Sequence, residues 1–375
     1  MKLLTISPRD TALFRDARPF DGQAGAVSMP LPWPSAVAGL VRTHSFPFEG
    51  GSWQGTPDEA RKIEVRGPWL VALDDEGKVV EHFVPAPADV LFYPDPGDTS
   101  RWTMRQLTPI LRDGLLCSDQ PEVGGRRLIP VTFREEPADA PGKPARGPAY
   151  WSWATMRDWL QAPSAARRLD ASDREQLGVD TPAAEERVHV GIDPSTRTAQ
   201  DGVLFTTSMR RFVQPTTTGL RRLAVAASVE DRAASHLREV VHLGGERRSS
   251  FATVHEDAGP PEAPALPEGT TRLRVVLVTP GLFADGWRPD EAQLGGGRLV
   301  GAAVGRPEAV SGWDMAAGGP RPSRRMAPAG SVYWVSFDDA AAAAEWASAM
   351  HFRSISSDEQ DRRDGFGLVI VGVGS

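Results

Sequence analysis

The sequence predicts an α+β fold in which helices pack on antiparallel sheets. Short apolar runs and helix-like segments occur in both halves of the 375-residue chain, without the regular strand–helix alternation of a parallel fold. Glycine and proline total 37 + 33 = 70 residues, which favours many loops and few long helices. Hydrophobic residues make up 40% of the chain, so a substantial core can form.

The first predicted element is a strand over residues 2–7, which Pro8 ends. Pro34 and Ser35 are residues that commonly begin helices, and the apolar spacing after them predicts a helix. The turn sequence DDEG predicts a hairpin with a strand on each side. Strands are predicted at 62–66, 69–73 and 79–84, the last two on either side of this turn, and helical structure at 150–160 and in part of 161–186.

A projecting hairpin is predicted over residues 189–205. Apolar residues alternate on both sides of a polar middle that carries Arg197. The dipeptides Asp-Pro at 193–194 and Asp-Gly at 201–202 are turn signals. This segment therefore predicts a polar finger with an arginine near its tip.

The rest of the C-terminal half is predicted to contain two helices and four strands. Residues 229–243 form one helix, which Gly244 and Gly245 would close. Asp339 begins the other helix, which ends near Met350. The strands are predicted at 220–228, 272–279, 331–337 and 368–373.

The charge of the whole chain does not indicate nucleic-acid binding, since the formal net charge is −7. Only 4 of the 42 basic residues are lysine, which leaves 42 − 4 = 38 arginines, and the arginine side chain suits phosphates and stacks on bases. A GC-rich genome is the simpler explanation of the count itself. Position is more informative, because residues 187–248 carry 10 − 6 = 4 excess positive charges and residues 298–325 carry 5 − 2 = 3. A basic face on an acidic protein is consistent with binding a polyanion.

Cys117 is the one cysteine of the chain, which excludes a disulfide framework and a multi-cysteine metal site. The start MKLLTISPRD lacks the apolar stretch of a signal peptide. No apolar run approaches the roughly 18 residues of a membrane helix. We therefore expect a cytoplasmic protein that does not enter a membrane.

Motifs for nucleotide and metal chemistry are missing or weak. A P-loop is absent, since the two Gly-Lys pairs are followed by valine and by proline. The Gly-rich run 294–305 does not read G-x-G-x-x-G, and the sequence HED at 255–257 lies in a Pro-rich loop without a further ligand in view. We predict neither a cofactor nor a metal. His44 and His189 could each be a general base or a hydrogen-bonded surface residue.

Two Gly-rich elements could bring backbone N–H groups close to an anion. Gly244 and Gly245 are followed by Arg247 and Arg248, the composition of an anion cradle. A helix C-terminus followed by solvated charge is the alternative. The sequence GFG at 365–367 could play the same part, or it could be a tight turn before an edge strand.

Seven segments, in order along the chain, carry a resemblance to a known family. They are FRDARPFD (14–21), PLPWPSAVAGLVRT (30–43), HVGIDPSTRTAQDGVLF (189–205), LGGERR (243–248), SGWD (311–314), PAGSVYW (328–334) and DGFGLVIVG (364–372). Together they resemble the third subunit of the Cmr complex, the type III-B CRISPR effector. That subunit is a repeat-associated mysterious protein (RAMP) of the class that caps the guide RNA. The resemblance leaves out residues 134–147, 161–186 and 256–270.

The resemblance implies two ferredoxin-like, RNA-recognition-type domains, which we place at 1–186 and 187–375. It implies a non-catalytic subunit of an antiviral ribonucleoprotein complex that grips the repeat-derived 5′ handle of the CRISPR RNA. It also implies docking on the large polymerase-type subunit and on the backbone subunit, with target RNA met only indirectly. Family members often read RDGRPF where this chain has Ala17, which weakens handle binding there if the glycine is needed.

The resemblance gives the hairpin a physical role. If the hairpin inserts between bases, it would kink the RNA and set its register. The polar residues at its tip would then contact phosphate and sugar. Arginines near the first strand and helix would hold backbone phosphates, and the GFG loop would supply close main-chain contact. The predicted RNA-binding residues are Arg15, Arg18, Ser35, Arg42, Thr43, His189, Ser195, Thr196, Arg197, Thr198, Gly244, Gly245, Arg247, Arg248, Gly365, Phe366 and Gly367.

Two other functions remain open from the sequence. A RAMP-fold endoribonuclease would cut the precursor CRISPR transcript with His44 or His189 as the base. An unrelated arginine-rich α+β protein would carry a small-molecule site. The three possibilities differ in whether the purified chain binds repeat RNA intact, cleaves it, or has no affinity for it.

Overall fold

The computed structural model describes the chain except at residues 16–25, 96, 112–121, 124–125, 136–141, 218, 315–317 and 375. The strands pair mostly antiparallel, and the helices are short. The α+β class predicted from the sequence is therefore confirmed.

The chain divides into two compact units that are interleaved along the sequence. The first unit consists of residues 1–80, 181–259 and 309–324, and the second of residues 81–180, 260–308 and 325–375. Neither unit coincides with the predicted domains 1–186 and 187–375. The division of this chain into those two domains stays a prediction. The interleaving follows from strand pairing, because the first strand of the chain pairs with strands from its second half.

The elements of the first unit are mostly strands. Its helices are Pro34–His44, Pro57–Lys62 and Asp231–Ala234, with a 3-10 turn at Gly245–Arg247. Its strands are Lys2–Pro8, Thr11–Ala12, Ala26–Val27, Phe48–Glu49, Ser52–Trp53, Val65–Leu73, Ala183–Ile192, Ala199–Arg211, Val213–Thr216, Gly219–Val229, Val240–His242, Ser249–His255, Trp313–Asp314 and Gly319–Pro320. Three strands span the sequence limits of the units: Val79–Pro85, Glu308–Val310 and Arg324–Met326.

The second unit has helices Trp153–Gln161, Ala171–Leu177, Ala340–Met350 and Glu359–Asp364. Its strands are Val90–Asp95, Asp98–Pro109, Glu122–Val123, Arg126–Arg127, Val131–Phe133, Tyr150–Ser152, Ala166–Leu169, Gly178–Val179, Arg272–Leu277, Arg298–Ala303, Val332–Ser336, Arg353–Ser354 and Leu368–Val373.

The first strand of the chain, Lys2–Pro8, lies inside the main sheet of the first unit. Gly219–Val229 pairs along one of its edges and Ser249–His255 along the other. Its side chains Leu3, Leu4 and Ile6 are fully buried, as expected for a strand inside a sheet that is covered on both faces. This strand therefore sets where the loops at both its ends emerge.

The second unit has a five-stranded antiparallel sheet. Strand Arg272–Leu277 lies at its centre, between Val332–Ser336 and Leu368–Val373. Helix Ala340–Met350 packs on this sheet, and the Asp339 carboxylate accepts the Ala342 N–H at 2.8 Å, as the sequence predicts for an N-cap.

The predicted helix over 229–243 is wrong. Only Asp231–Ala234 is helical, and Val240–His242 is a strand that pairs with residues 249–251. Gly244 and Gly245 lie in the turn of this hairpin and do not end a helix. Cross-strand pairing outweighs the helical preference of this segment, because the helix propensities of its residues differ by only about 0.5 kcal/mol each.

Other predicted boundaries shift as well. Tyr150–Ser152 is a strand, and the helix predicted over 150–160 begins only at Trp153. Residues 62–66 are not one strand, because Lys62 ends a helix and Val65 begins a strand. The finger is longer than predicted, since its strands run over Ala183–Ile192 and Ala199–Arg211.

A fully buried ion pair holds the second unit together. Arg274, on the central strand, donates from Nη1 to Asp89 Oδ2 at 2.7 Å and from Nη2 to the Trp159 carbonyl. The Trp159 indole N–H donates to the other Asp89 oxygen at 3.1 Å, and the Arg274 guanidinium lies 5.4 Å from the centre of a Trp159 ring. Each polar partner therefore fixes the others in the core.

We expect Asp89→Asn to lower the free energy of unfolding by about 3–5 kcal/mol, because it leaves the Arg274 charge buried without a counter-ion. Urea unfolding followed by tryptophan fluorescence measures the change. Asp98→Asn removes a carboxylate from an exposed pair with Arg101 and is the control, for which we expect only a small fraction of that loss. Equal losses in the two variants would contradict the role given to the buried pair.

Candidate nucleic-acid interface

Loops of the first unit meet where its first strand ends. The chain leaves this strand at Arg9, beside the start of Ser249–His255, and the Arg9 N–H donates to the Ser249 carbonyl at 3.1 Å. Farther on, Thr11 and Ala12 pair with Arg211 and Arg210 at the base of the long hairpin. The residues that precede Ser249, from 244 to 248, lie against the same segment. We call residues 9–15, 210–211 and 244–248 the loop cluster.

Gly244 and Gly245 pack against the backbone of Leu13. The Gly245 N–H donates to the Leu13 carbonyl at 2.7 Å, and a Cβ on Gly244 would lie 2.4 Å from that oxygen. Gly244 also has φ of +87°, a left-handed conformation that favours glycine. The two glycines thus bring the segment LGGERR against Leu13 and Phe14, although these are far apart in the sequence.

Carboxylates neutralise two arginines of this region. Asp10 accepts from Arg187 at 3.0 Å and lies 3.7 Å from Arg248. Arg187 also pairs with Glu185 at 2.6 Å, and Arg248 with Glu246 at 3.0 Å. The hydrogen bond from Arg187 holds the pKa of Asp10 below its usual range. Arg248, a predicted RNA contact, therefore already has acidic partners.

Three other arginines of the loop cluster have no acidic partner among the described residues. Arg9, Arg211 and Arg247 are exposed, and within the described residues their guanidinium groups make no ion pair or hydrogen bond. Arg15 is also exposed, and its backbone forms an isolated bridge with Ser28. The sequence prediction includes Arg15 and Arg247 but misses Arg9 and Arg211. The pairing of Arg211 with Thr11, which brings Arg211 into the cluster, is a tertiary contact without a local sequence signal.

The tip of the hairpin is a compact turn. Asp193 accepts the N–H of Ser195 at 2.7 Å and its hydroxyl at 2.6 Å, which holds the pKa of Asp193 below its usual range. The Thr196 and Thr198 hydroxyls lie 2.8 Å apart. Arg197 has a left-handed φ of +57°, its N–H donates to the Asp193 carbonyl, and its exposed guanidinium has no partner in the described part of the chain. The turn therefore presents one cation at its end.

One face of the hairpin carries an aromatic pair. His189 and Phe205 are directly opposite each other on the two strands, with ring centres 5.2 Å apart and planes within 15°. The His189 Nε2 lies 2.8 Å from the Thr207 hydroxyl. The predicted contact residue His189 is thus held in a fixed orientation by two neighbours.

The other face of the hairpin is apolar and open to solvent. Val188, Val190 and Ile192 alternate along the first strand, and Leu204 lies opposite Val190. These four side chains retain 67%, 45%, 55% and 69% of their exposure. An exposed row of four aliphatic side chains is unusual for a surface without a binding partner.

The predicted contacts on the first helix have structural roles. Arg42 donates from Nε and Nη2 to the Ile63 carbonyl, at 3.2 and 2.8 Å. These bonds connect the first helix to Ile63, the residue that directly follows helix Pro57–Lys62. The Thr43 hydroxyl donates to the Gly39 carbonyl of its own helix. Ser35 is half-buried in the first turn, which begins at Pro34 as predicted.

The GFG loop is buried in the second unit. Gly365, Phe366 and Gly367 are all buried, and their N–H groups donate to carbonyls of the same unit. A Cβ on Gly367 would lie 2.4 Å from the Ser356 hydroxyl. These glycines are accounted for by packing, and their predicted contact with RNA stays a prediction. Arg18 and Ala17, in turn, lie outside the described residues.

No cluster of metal-ligating side chains occurs among the residues that the structure describes. His44 is half-buried, and burial, with smaller contributions from Arg238 and His242, lowers its pKa. Within the same described ranges, no helix is both long and apolar enough to cross a bilayer.

Comparison with known families places the chain among the CRISPR-associated proteins. The family model described as CRISPR-associated protein (Cas_Cmr3) matches residues 4–374, so the chain belongs to this family. The resemblance found in the sequence is thereby confirmed. No curated protein sequence matches the chain.

Two of the solved structures that are similar to this chain are of the type III-B Cmr-beta bound to cognate target RNA. The first, which also contains AMPPnP, is 14% identical with a TM-score of 0.47, and the second is 13% identical with a TM-score of 0.46. Each match covers 89% of this chain and 86% of the other.

We expect Gly244→Ala to destabilise the first unit more than Gly202→Ala. Both glycines have a positive φ, which costs an alanine about 1–2 kcal/mol, but only at Gly244 would the Cβ meet the Leu13 carbonyl, while Gly202 faces open space. The free energy of unfolding in urea measures the difference. Indistinguishable losses would contradict the close packing described here.

Proposed function

We propose that this chain is a non-catalytic subunit of a type III-B CRISPR effector complex that caps the repeat-derived 5′ handle of the CRISPR RNA. In this proposal it has two ferredoxin-like domains and acts in the cytoplasm, in antiviral defence. It docks on the large polymerase-type subunit and on the backbone subunit, and target RNA reaches it only indirectly. Membership of the Cas_Cmr3 family supports the setting.

The observation that carries the RNA contact is the set of unpaired cations in the loop cluster. Arg9, Arg211 and Arg247 are exposed on three segments that pack together, and the described residues offer them no carboxylate. Cations left without protein partners are available to phosphates, whose contacts position an RNA chain. In an acidic protein, such a group is a local site for a polyanion.

The long hairpin would act as a wedge next to this cluster. The first strand runs from Ala183, opposite Arg211, to Ile192, a reach of roughly 30 Å at about 3.3 Å per residue before the turn begins. Its apolar face, Val188, Val190, Ile192 and Leu204, has the chemistry of side chains that insert between bases and unstack them. Arg197 at the end would meet a phosphate beyond the unstacked base.

A crosslinking experiment tests the function as a whole. The assembled complex is loaded with CRISPR RNA that carries a photoreactive nucleotide at its 5′ end. We expect the label on this chain, in residues 9–15 or 244–248. A label found on another polypeptide would overturn the proposal.

We expect Arg197→Ala to weaken binding of handle RNA and to reduce the slope of log affinity against log salt by about 0.7, the value for one phosphate contact on a single strand. Filter binding by the purified chain at several salt concentrations measures both. Arg146→Ala is the matched control, since Arg146 is likewise exposed and unpaired within the described part of the chain. An unchanged slope for Arg197→Ala would remove the tip from the interface.

We expect the double variant Val190→Ser, Leu204→Ser to reduce unstacking of the handle. A 2-aminopurine placed at successive handle positions brightens when its base is unstacked, and the variant should lose this signal at one position. Val80→Ser is the control, because Val80 is a similarly exposed valine of another strand. Full brightness in the double variant would show that the apolar face does not act as a wedge.

Cleavage of repeat RNA by the purified chain is the test of the non-catalytic assignment. We expect intact RNA. Cleavage that His44→Ala or His189→Ala abolishes would establish the endoribonuclease function instead.

A further inference from the structure

An open apolar pocket lies in the second unit, on segments that the RNA interface does not use. Its volume is about 430 Å³, within the size range of sites that take a ligand or an anchoring side chain. Its lining comes from three stretches of chain, around 286–287, 302–307 and 325–327. These stretches include parts of the Gly-rich run 294–305, which does not fit a dinucleotide site.

The pocket is built on the rigid core of the unit. Trp287, Ala302 and Val304 pack with one side on the core cluster of the five-stranded sheet and line the pocket with the other. The Trp287 carbonyl accepts the buried Tyr333 hydroxyl at 2.7 Å, and Ala327 exchanges two backbone hydrogen bonds of 2.9 Å with Gly281. The pocket is therefore preformed, which lowers the entropic cost of filling it.

The chemistry of the lining favours an apolar side chain over a nucleobase. Arg325 is the only lining residue with a polar side chain, apart from the indole of Trp287. A base needs donors and acceptors along its edge, whereas the side chains of this lining supply only the donors of Arg325 and the Trp287 indole N–H and no acceptor. An aliphatic or aromatic side chain needs only apolar walls, and such anchors carry much of the energy of protein interfaces.

The charge at the rim indicates what flanks that side chain. Arg325 is exposed, and within the described residues it has no ion pair. Arg306, between the lining residues Gly305 and Pro307, is also exposed and has no ion pair there. Two unpaired cations beside an apolar pocket complement an acidic segment.

We propose that this pocket is a docking site for another protein subunit, which inserts an aliphatic or aromatic side chain flanked by acidic residues. That the partner belongs to a CRISPR effector complex rests on the proposed function, whereas the apolar and cationic chemistry of the pocket does not. The partner is a protein segment and not the RNA.

The test uses the full chain assembled with the other subunits of its complex. Ala302→Leu fills the pocket without adding charge, and Arg325→Glu reverses the charge at its rim. We expect each to reduce co-purification with the other subunits by at least about tenfold, while the isolated variants keep wild-type affinity for handle RNA. The matched controls are Ala344→Leu, at an exposed alanine of helix Ala340–Met350, and Arg146→Glu, and both should assemble as wild type.

A photocrosslinker at Pro307 keeps the proposal falsifiable if a variant assembles poorly because it folds poorly. In the wild-type background, we expect a crosslink to an acidic segment of another subunit, mapped by mass spectrometry. A crosslink to RNA, or none to protein, would overturn the proposal, as would normal assembly of a folded Ala302→Leu chain. If the wild-type chain did not bind handle RNA, the proposed function would be contradicted. The crosslink at Pro307 would still report whether the pocket contacts another subunit.

Discussion

The position of one strand governs the rest of the first unit. Lys2–Pro8 lies between Gly219–Val229 and Ser249–His255, so hydrogen bonds on both its edges are satisfied by strands from the second half of the chain. Since antiparallel neighbours begin where the first strand ends, the loop after residue 8 and the turn before residue 249 must emerge side by side. The base of the long hairpin joins them through its pairing with Thr11–Ala12. A candidate interface thus follows from backbone hydrogen bonding before any side chain is considered.

Within that frame, carboxylates select which arginines can act on a ligand. Arg187 and Arg248 share Asp10, and each has a second acid of its own. These pairs lie at the surface, partly exposed, and are worth little to stability, but they hold the arginine side chains in place. The exposed Arg247, next in sequence to Arg248, has no such partner within the described residues. A net charge of −7 is therefore compatible with a local site for phosphate.

The second unit depends on a buried ion pair in its core. Its central strand contributes Arg274, whose charge is compensated by Asp89 and whose orientation is fixed by Trp159. Removing one member of such a group costs more than the pair contributes, because desolvated charge remains. The resulting rigid core presents Trp287 and its neighbours as a preformed apolar pocket. The two units thus offer surfaces of different chemistry, one cationic and one apolar, as expected under the proposal that the chain holds RNA and other subunits at once.

Local sequence determined the elements whose signals are local. Pro34 begins a helix, Asp339 caps another, and alternation from 189 to 205 marks a hairpin, because capping, turn chemistry and period-two patterns involve only neighbouring residues. The motifs also determined the family, whose model spans residues 4–374. Only the tertiary structure decided that 240–242 is a strand, that GGERR packs on Leu13, that GFG is buried and that Arg211 joins the cluster. Each of these depends on which distant strand pairs with which, and the hydrogen-bonding capacity of a backbone is the same in every residue but proline.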